Sequence, residues 1–359
     1  MIITDILTKK VKFRRRKVFK IAFTESLYSE GIYVKVLTDS GISGMGEASP
    51  VAFVTGETID GIIAAIEFMK PQLIGADPED PETIHRIMDK KLLGNTSAKA
   101  AIDIACYDIM GKKKGLPVHR LLGAEQTTIQ TDITIGIDTT EKMVEDALGR
   151  TSEGFRCLKI KGGISPEEDI EHFAAIRNAV GPEIDLRVDA NQGYDLETAA
   201  KLLEKFPMLG ISEAEQPMEA WDLDGMAELK KLSPVPLLLD EGVHSPIHAR
   251  MACQKDSGDA INIKLMKCGG IWPALQINKI AKEHGKTCIV GCMSETKLAL
   301  AAGAAVAAAC HDNMEPIVDL DSFMSFVEGE GSVSGGFSID GDIITLSEKP
   351  GFGFDEYEF

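Results

Sequence analysis

Apolar residues recur along this chain in two different periods, and the change of period divides it in two. Over about the first 120 positions, strand-like segments at 2–13 and 31–38 give way to three stretches with helical spacing, at about 58–70, 81–92 and 96–114. The last of these carries Ala100, Ala101, Ile104, Ala105 and Ile109 on one apolar stripe. Between strands and helices, Gly41-Ile42-Ser43-Gly44-Met45-Gly46 lacks the strand-then-helix frame of a dinucleotide loop and reads as a mobile turn. From about 127 the pattern becomes one of short apolar runs, each followed by a helical stretch, with run ends near 136, 161, 189, 215, 240, 264, 293 and 319. Eight such ends fit a complete parallel barrel, in which the strand C-termini converge on one mouth. The longest apolar stretch, Leu298 to Cys310, is short of the ~20 residues that span a bilayer and predicts a tightly packed, Ala-rich barrel helix. The pattern therefore predicts an α/β protein with an α+β domain over 1–122 and a barrel over 123–321. The Gly- and acid-rich tail, 322–359, is strand-like at Ile343-Ile344-Thr345-Leu346 and is expected to return to the first domain.

Composition narrows the partners. A net charge of −18 and a pI near 4.9 describe a surface that repels nucleic acid and anionic membranes. The one basic cluster, Lys9-Lys10 through Arg14-Arg15-Arg16-Lys17, alternates with Val11, Phe13 and Val18 and reads as the solvated face of a strand. Seven cysteines, with no Cys-x-x-Cys pair among them, read as small core residues in a reducing compartment. No basic head followed by an apolar signal segment opens the chain, so a cytoplasmic location is expected. His244 and His248 are four apart, but Pro246 between them marks a helix start, not a zinc pair.

Candidate chemistry lies at the ends of the apolar runs. Asp189, Glu215 and Asp240 recur 26 and 25 residues apart, each closing one run. Each alone could be a helix cap. Three in successive units would bring three carboxylates to one mouth, an oxygen-rich site for a hard divalent cation such as Mg²⁺. Lys159 and Lys161 are two apart on a strand and so enter the mouth together. Crowding with each other and with a cation is expected to lower a lysine pKa enough to make a neutral amine, a base. Lys264 lies three strands around from Asp189, across the mouth from Lys161, and two opposed lysines imply inversion at a carbon. In the eighth unit, Asp319 and Asp321 share a face and could hold a substrate ammonium. No nucleophile elbow and no Ser-His-Asp set stands out.

Lys-Ile-Lys, Asp-Ala-Asn, Glu-Gln-Pro, Asp-Glu, Asn-Ile-Lys-Leu-Met-Lys-x-Gly-Gly-Ile and Gly-Cys-Met-Ser-Glu, in that order, resemble the enolase superfamily and within it the muconate lactonizing enzyme subgroup. The resemblance spans nearly the whole chain. It implies a capping α+β domain over a (β/α)₇β barrel, a modified TIM barrel, and one Mg²⁺ on Asp189, Glu215 and Asp240. It implies Lys161 and Lys264 as the acid/base pair, Lys159 assisting the substrate carboxylate, Asn191 and Glu241 supporting the site with Glu241 orienting Lys264, and Glu295 lining it. Such enzymes abstract an α-proton next to a carboxylate and pass through an enediolate. The Asp319-Leu320-Asp321 element is similar to that by which dipeptide epimerases hold an N-terminal ammonium. Racemases of N-acylamino acids, o-succinylbenzoate synthases and muconate cycloisomerases share the lysine pair and remain alternatives, as does an inactive barrel serving as a metal-dependent binding module. Sugar-acid dehydratases usually carry a His at the seventh strand, where this chain has Cys292-Met293-Ser294-Glu295. Substrate choice is expected in the loops 21–31 and 48–57. The position at which Ala-Glu epimerases carry an Arg is Thr24 here, and Phe23, Leu27, Phe53 and Val54 favour an apolar second residue, with Glu25 leaving a cationic one open. A homo-oligomer is expected from the family.

Overall fold

The computed structural model describes residues 1–21, 24–327, 333–355, 357 and 359. Strands β1 (Ile3–Ile21), β2 (Thr24–Thr38) and β3 (Ser43–Ala48) form an antiparallel sheet in that order. The first two run longer than the alternation predicts, because their distal halves pair with each other past the body of the sheet, with a break in register between Arg14 and Phe19. Helices Ile59–Leu73, Pro81–Lys91 and Thr96–Lys114 follow. Thr58 and Asp80 cap the first two through their side chains. The third is buried over most of its length because it has two cores to fill. Ala98, Ala101, Ile102 and Ala105 pack toward the antiparallel sheet, while Ala100, Ile104 and Tyr107 pack toward the barrel.

Only the start of the Gly41–Gly46 stretch, Gly41-Ile42, belongs to a turn. Gly44 and Gly46 lie within β3, and a Cβ on either would stand 2.0 Å from Ala105 O or 1.9 Å from Ala101 O. Here glycine serves close approach of strand to helix, which local pattern cannot distinguish from loop flexibility.

Strand β4 (Thr128–Thr131) precedes a seven-stranded parallel sheet of β5 (Ile133–Ile135), β6 (Cys157–Lys161), β7 (Asp185–Asp189), β8 (Ile211–Glu215), β9 (Leu237–Leu239), β10 (Ala260–Lys264) and β11 (Thr287–Gly291). A helix follows each, from Thr140–Ser152 to the buried Lys297–Ala309. The eighth strand, β12 (Ile317–Val318), meets β11 through parallel bridges at Met314 and Asp319 and pairs with β4. This is the (β/α)₇β arrangement expected. In the tail, β13 (Phe337–Asp340) and β14 (Ile343–Leu346) form a hairpin whose β14 pairs with β4. Tail residues also reach the N-terminal sheet and helices, through bridges from Phe326 to Arg15 and from Gly351 to Pro117.

Two carboxylates from the N-terminal part cap barrel helices. Asp103 Oδ1 accepts from Ile271 N at 2.6 Å at the start of helix Ile271–Glu283. Glu47 accepts from Thr296 N, Thr296 Oγ1 and Ala299 N at the start of helix Lys297–Ala309. Each places acceptor oxygens where the helix leaves N–H groups unpaired. No helix among the described residues is long and apolar enough to cross a membrane.

Candidate active site

A cavity of about 890 Å³ opens between the barrel mouth, the β1–β2 ribbon and the segment 50–59. Lys159, Lys161, Asp240 and Lys264 line its floor. Because side chains alternate along a strand, Lys159 and Lys161 of β6, Asp189 of β7, Glu215 of β8 and Lys264 of β10 share the inward face, and all are buried. Asp240 follows β9 directly and joins them.

Asp189, Glu215 and Asp240 each offer a carboxylate oxygen within 4.8 Å of the others. Four lysines thread among them. Lys161 Nζ lies 2.5 Å from Asp189, Lys264 Nζ 2.6 Å from Asp240, and Lys159 Nζ 2.7 Å from Glu215 and 3.1 Å from Asp189. Lys267, fully buried, pairs with Asp240 Oδ1 at 2.5 Å. Three buried carboxylates clustered this closely fit a hard divalent cation. The remaining contacts hold the cluster in place. Asn262 Nδ2 donates to Glu215 at 2.9 Å, and Gln216 Oε1 accepts from Asp240 N and Gly242 N.

The motifs after the acids have a backbone reason. Asn191, Gln192 and Gln216 occupy the left-handed region, with φ of 41°, 67° and 37°. Residues without a branched Cβ tolerate that region best, and strain of this kind collects at sites. The turn brings Asn191 Oδ1 to 3.2 Å from Lys161 Nζ, while its Nδ2 donates to Glu241 at 3.1 Å.

Electrostatics at the mouth are coupled. Burial, reinforced by Asp189, pushes Glu215 up to about 8. Asp189 itself is held down at about 2, because Lys161 and Lys159 outweigh its burial. Burial and the nearby Asp240 and Asp189 push Glu241 up to about 7. Burial acts to lower Lys264 and Lys159, but the facing carboxylates, Asp240 for Lys264 and Asp319 with Glu215 for Lys159, win and raise both. A run of inward charges two apart shows which lysines are buried, but not that each meets a carboxylate first.

The other expected residues divide by position. Asp319 and Asp321 both line the cavity and are buried; Asp319 bonds Lys159 at 2.7 Å and Asp321 accepts from Thr134 N at 2.6 Å. Phe53 and Val54 lie on the cavity wall with Val51 and Ile59. Glu295 is buried next to the lining residues Met293 and Ser294, its carboxylate accepting from Met293 N at 2.5 Å, and burial pushes it up to about 8. Phe23 and the side chain of Thr24 fall outside the described residues. The His244–His248 pair resolves as expected, with Ser245 capping a helix that starts at Pro246.

Three contributors were not read from the sequence. Lys267 was legible only as part of a motif; it reaches Asp240 because it sits one helical turn past β10. Asp132, just before β5, is buried with neither carboxylate oxygen hydrogen-bonded, its Oδ2 3.6 Å from Arg187 Nη1. Arg15 overturns the reading of the basic run as wholly solvated: it is buried and lines the cavity.

Comparison with known proteins places this geometry. Residues 3–123 match the mandelate racemase/muconate lactonizing enzyme N-terminal domain, and residues 142–358 match the enolase C-terminal domain-like family. An L-Ala-D/L-Glu epimerase of Clostridium acetobutylicum is 38% identical over 358 residues, 99% of each chain. A hydrophobic dipeptide epimerase of Enterococcus faecalis is 38% identical over 355 residues, 98% of this chain and 99% of its own. The crystal structure of a dipeptide epimerase from Enterococcus faecalis, complexed with Mg and the dipeptide L-Leu-L-Tyr, superposes with a TM-score of 0.95 at 38% identity, covering 99% of this chain and 100% of its own. On fold, on matched length and on identity, the chain belongs to the mandelate racemase/muconate lactonizing enzyme family of enolase-like barrels.

Proposed function

We propose that this chain is a Mg²⁺-dependent dipeptide epimerase that inverts the α-carbon of the second residue, with an apolar side chain preferred there. The observation that carries the reading is the pair of buried lysines, Lys161 and Lys264, on separate strands and tied to separate acids of one carboxylate cluster, on a cavity that also holds Asp319 and Asp321. The relatives' activities support it. So do Val51, Phe53 and Val54, an apolar wall for the second side chain.

Asp189, Glu215 and Asp240 would hold Mg²⁺. The bound ion would supply positive charge against these acids and the substrate carboxylate, which makes the adjacent α-proton acidic enough for an amine to take. Asp319 and Asp321 bind the substrate ammonium and Lys159 supports its carboxylate. One lysine, as a free amine, takes the α-proton from one face while the C–H electron pair moves into the carboxylate, giving an enediolate. The other lysine, as an ammonium, returns a proton to the opposite face. Asn191 links Lys161 to Glu241 and orients that end of the relay.

We read residues 1–122 with 322–359 as the cap and 123–321 as the catalytic barrel. The seven buried, unpaired cysteines support a reducing, cytoplasmic setting.

The test is proton NMR in D₂O with Mg²⁺ and a pool of L,L-dipeptides. Loss of the second residue's α-proton signal with new diastereomer peaks is the expected result. Absence of exchange in every dipeptide, beside turnover of N-acylated or succinylated acids, would move the chain to the alternatives.

A further inference from the structure

One side chain in the basic run of β1 departs from its neighbours. Where β1 and β2 lose register after Arg14, Arg15 continues the inward positions of Val11 and Phe13. It is 7% exposed, yet it lines the cavity. Its NH1 donates to Ser325 Oγ and its NH2 to Ser294 Oγ, each at 2.8 Å. Its Nε is buried with no acceptor among the described residues. The rings of Phe19 and Phe326 lie against it, with centroids 5.2 Å from Cζ.

The other cations on the outer part of this cavity are differently placed. Lys12 pairs with Glu30, Lys17 with Asp146, and Arg150 with Asp146 and Glu153, while Arg16 is exposed and donates to Phe326 O. Among the described residues, Arg15 has only hydroxyl acceptors. A buried guanidinium held by two hydroxyls and two rings is costly to fold unless an anion completes it. Five N–H donors in a planar fork suit a carboxylate. The carboxylate whose field acts on Arg15 is Asp321, which lies beyond ion-pair distance on the same wall. An acid pair and a guanidinium thus stand near each other, complementary to a group carrying both an ammonium and a carboxylate.

Resting on the epimerase reading above, we infer that Arg15 selects dipeptides whose first residue is aspartate or glutamate. That residue's ammonium lies on Asp319 and Asp321, and its side-chain carboxylate on Arg15. Selection for an acidic residue therefore falls on the first position, while the apolar wall keeps the second.

The experiment compares isosteric substrates on the intact Mg²⁺-loaded enzyme, by kcat/KM from α-proton exchange. L-Glu-L-Leu is set against L-Gln-L-Leu, L-Asp-L-Leu against L-Asn-L-Leu, with N-succinyl-L-Leu as a carboxylate that lacks the ammonium. We expect the acid to exceed its amide on the order of 10²-fold, since a buried charged donor set is left unmatched by the amide. In Arg15→Met that ratio collapses toward one, and Arg15→Lys restores part of it. Thermal unfolding of Arg15→Met is expected at or above the parent temperature, because an apolar side chain relieves a buried unpaired charge. Equal turnover of acid and amide by the parent, or a ratio unchanged in Arg15→Met, would overturn the assignment to Arg15 while leaving the epimerase reading standing. Preference for N-succinyl-L-Leu over every dipeptide would overturn the first-residue assignment, and exchange of no dipeptide at all would sink the epimerase reading beneath it.

Discussion

Lys161 and Lys264 end their strands in the same way, two residues from another inward polar group, yet their surroundings differ. Lys161 shares its acid, Asp189, with Lys159 and touches Asn191; Lys264 has Asp240, which Lys267 also holds. If each serves one face of the α-carbon, removing one should separate exchange from inversion. Lys161→Ala and Lys264→Ala should each lose epimerisation by at least about 10³-fold, the order of an acid/base contribution. Each should still exchange the α-proton of one diastereomer, and of opposite diastereomers, in D₂O. Loss of exchange from both diastereomers in both variants would argue against two independent proton carriers. Strand alternation made these lysines visible in the sequence. It also placed Arg15 on the inward face with Val11 and Phe13, but seven basic residues in nine positions masked one buried member.

Single elements carry their own liabilities. β3 lies so close to helix Thr96–Lys114 that Gly46 has Ala101 O where a Cβ would be. Gly46→Ala should therefore cost about 3 kcal/mol or more, since backbone on backbone cannot yield as a flexible side chain does. The midpoint of urea unfolding reads this directly, and a shift of under half a kcal/mol would contradict the packing argument. At the turn of the β13–β14 hairpin, Asp342 takes two bonds from Arg156, each at 2.9 Å, and one from Gln130. Burial would raise this carboxyl, but Arg156 and Gln130 hold it below its usual range. A folded-state pKa below the unfolded 3.8 means its contribution is present above that pH and lost as pH falls through the lower, folded value. Asp342→Asn should cost about 1–2 kcal/mol at pH 7, discounted for the exposure of Arg156, and progressively less below pH ~3.8. A cost independent of pH would mean that shape, not charge, holds the turn.

At the scale of the molecule, the N-terminal sheet and helices grip the barrel through polar ties at helix starts. Asp103 supplies a side-chain cap that Gly270 at its helix start cannot, and Glu47 shares the capping of its helix with Thr296. Asp103→Ala or Glu47→Ala should cost about 2 kcal/mol at the upper end of capping effects. The double variant should split one unfolding transition into two, followed by calorimetry; a single shifted transition would show that the shared core of Thr96–Lys114 couples the parts by itself. Mg²⁺ gives a second whole-molecule readout. Chelation should abolish activity, and Mg²⁺ at 100-fold over its Kd should restore it and stabilise the fold by roughly 2.7 kcal/mol. Activity that survives chelation would remove the metal from the mechanism.

The sequence by itself determined the period change, the eight strand ends to within about two residues, the inward acids and lysines and their order around the mouth. These are consequences of alternation along a strand and of one repeating unit, both local. Tertiary structure decided what depends on approach between distant segments: the glycines of β3, the caps from Glu47 and Asp103, the reach of Lys267 to Asp240 and the burial of Arg15. It also decided which carboxylates face the lysines, because a charge buried alone is lowered and a charge buried beside carboxylates is raised, and only the fold says which neighbours it meets.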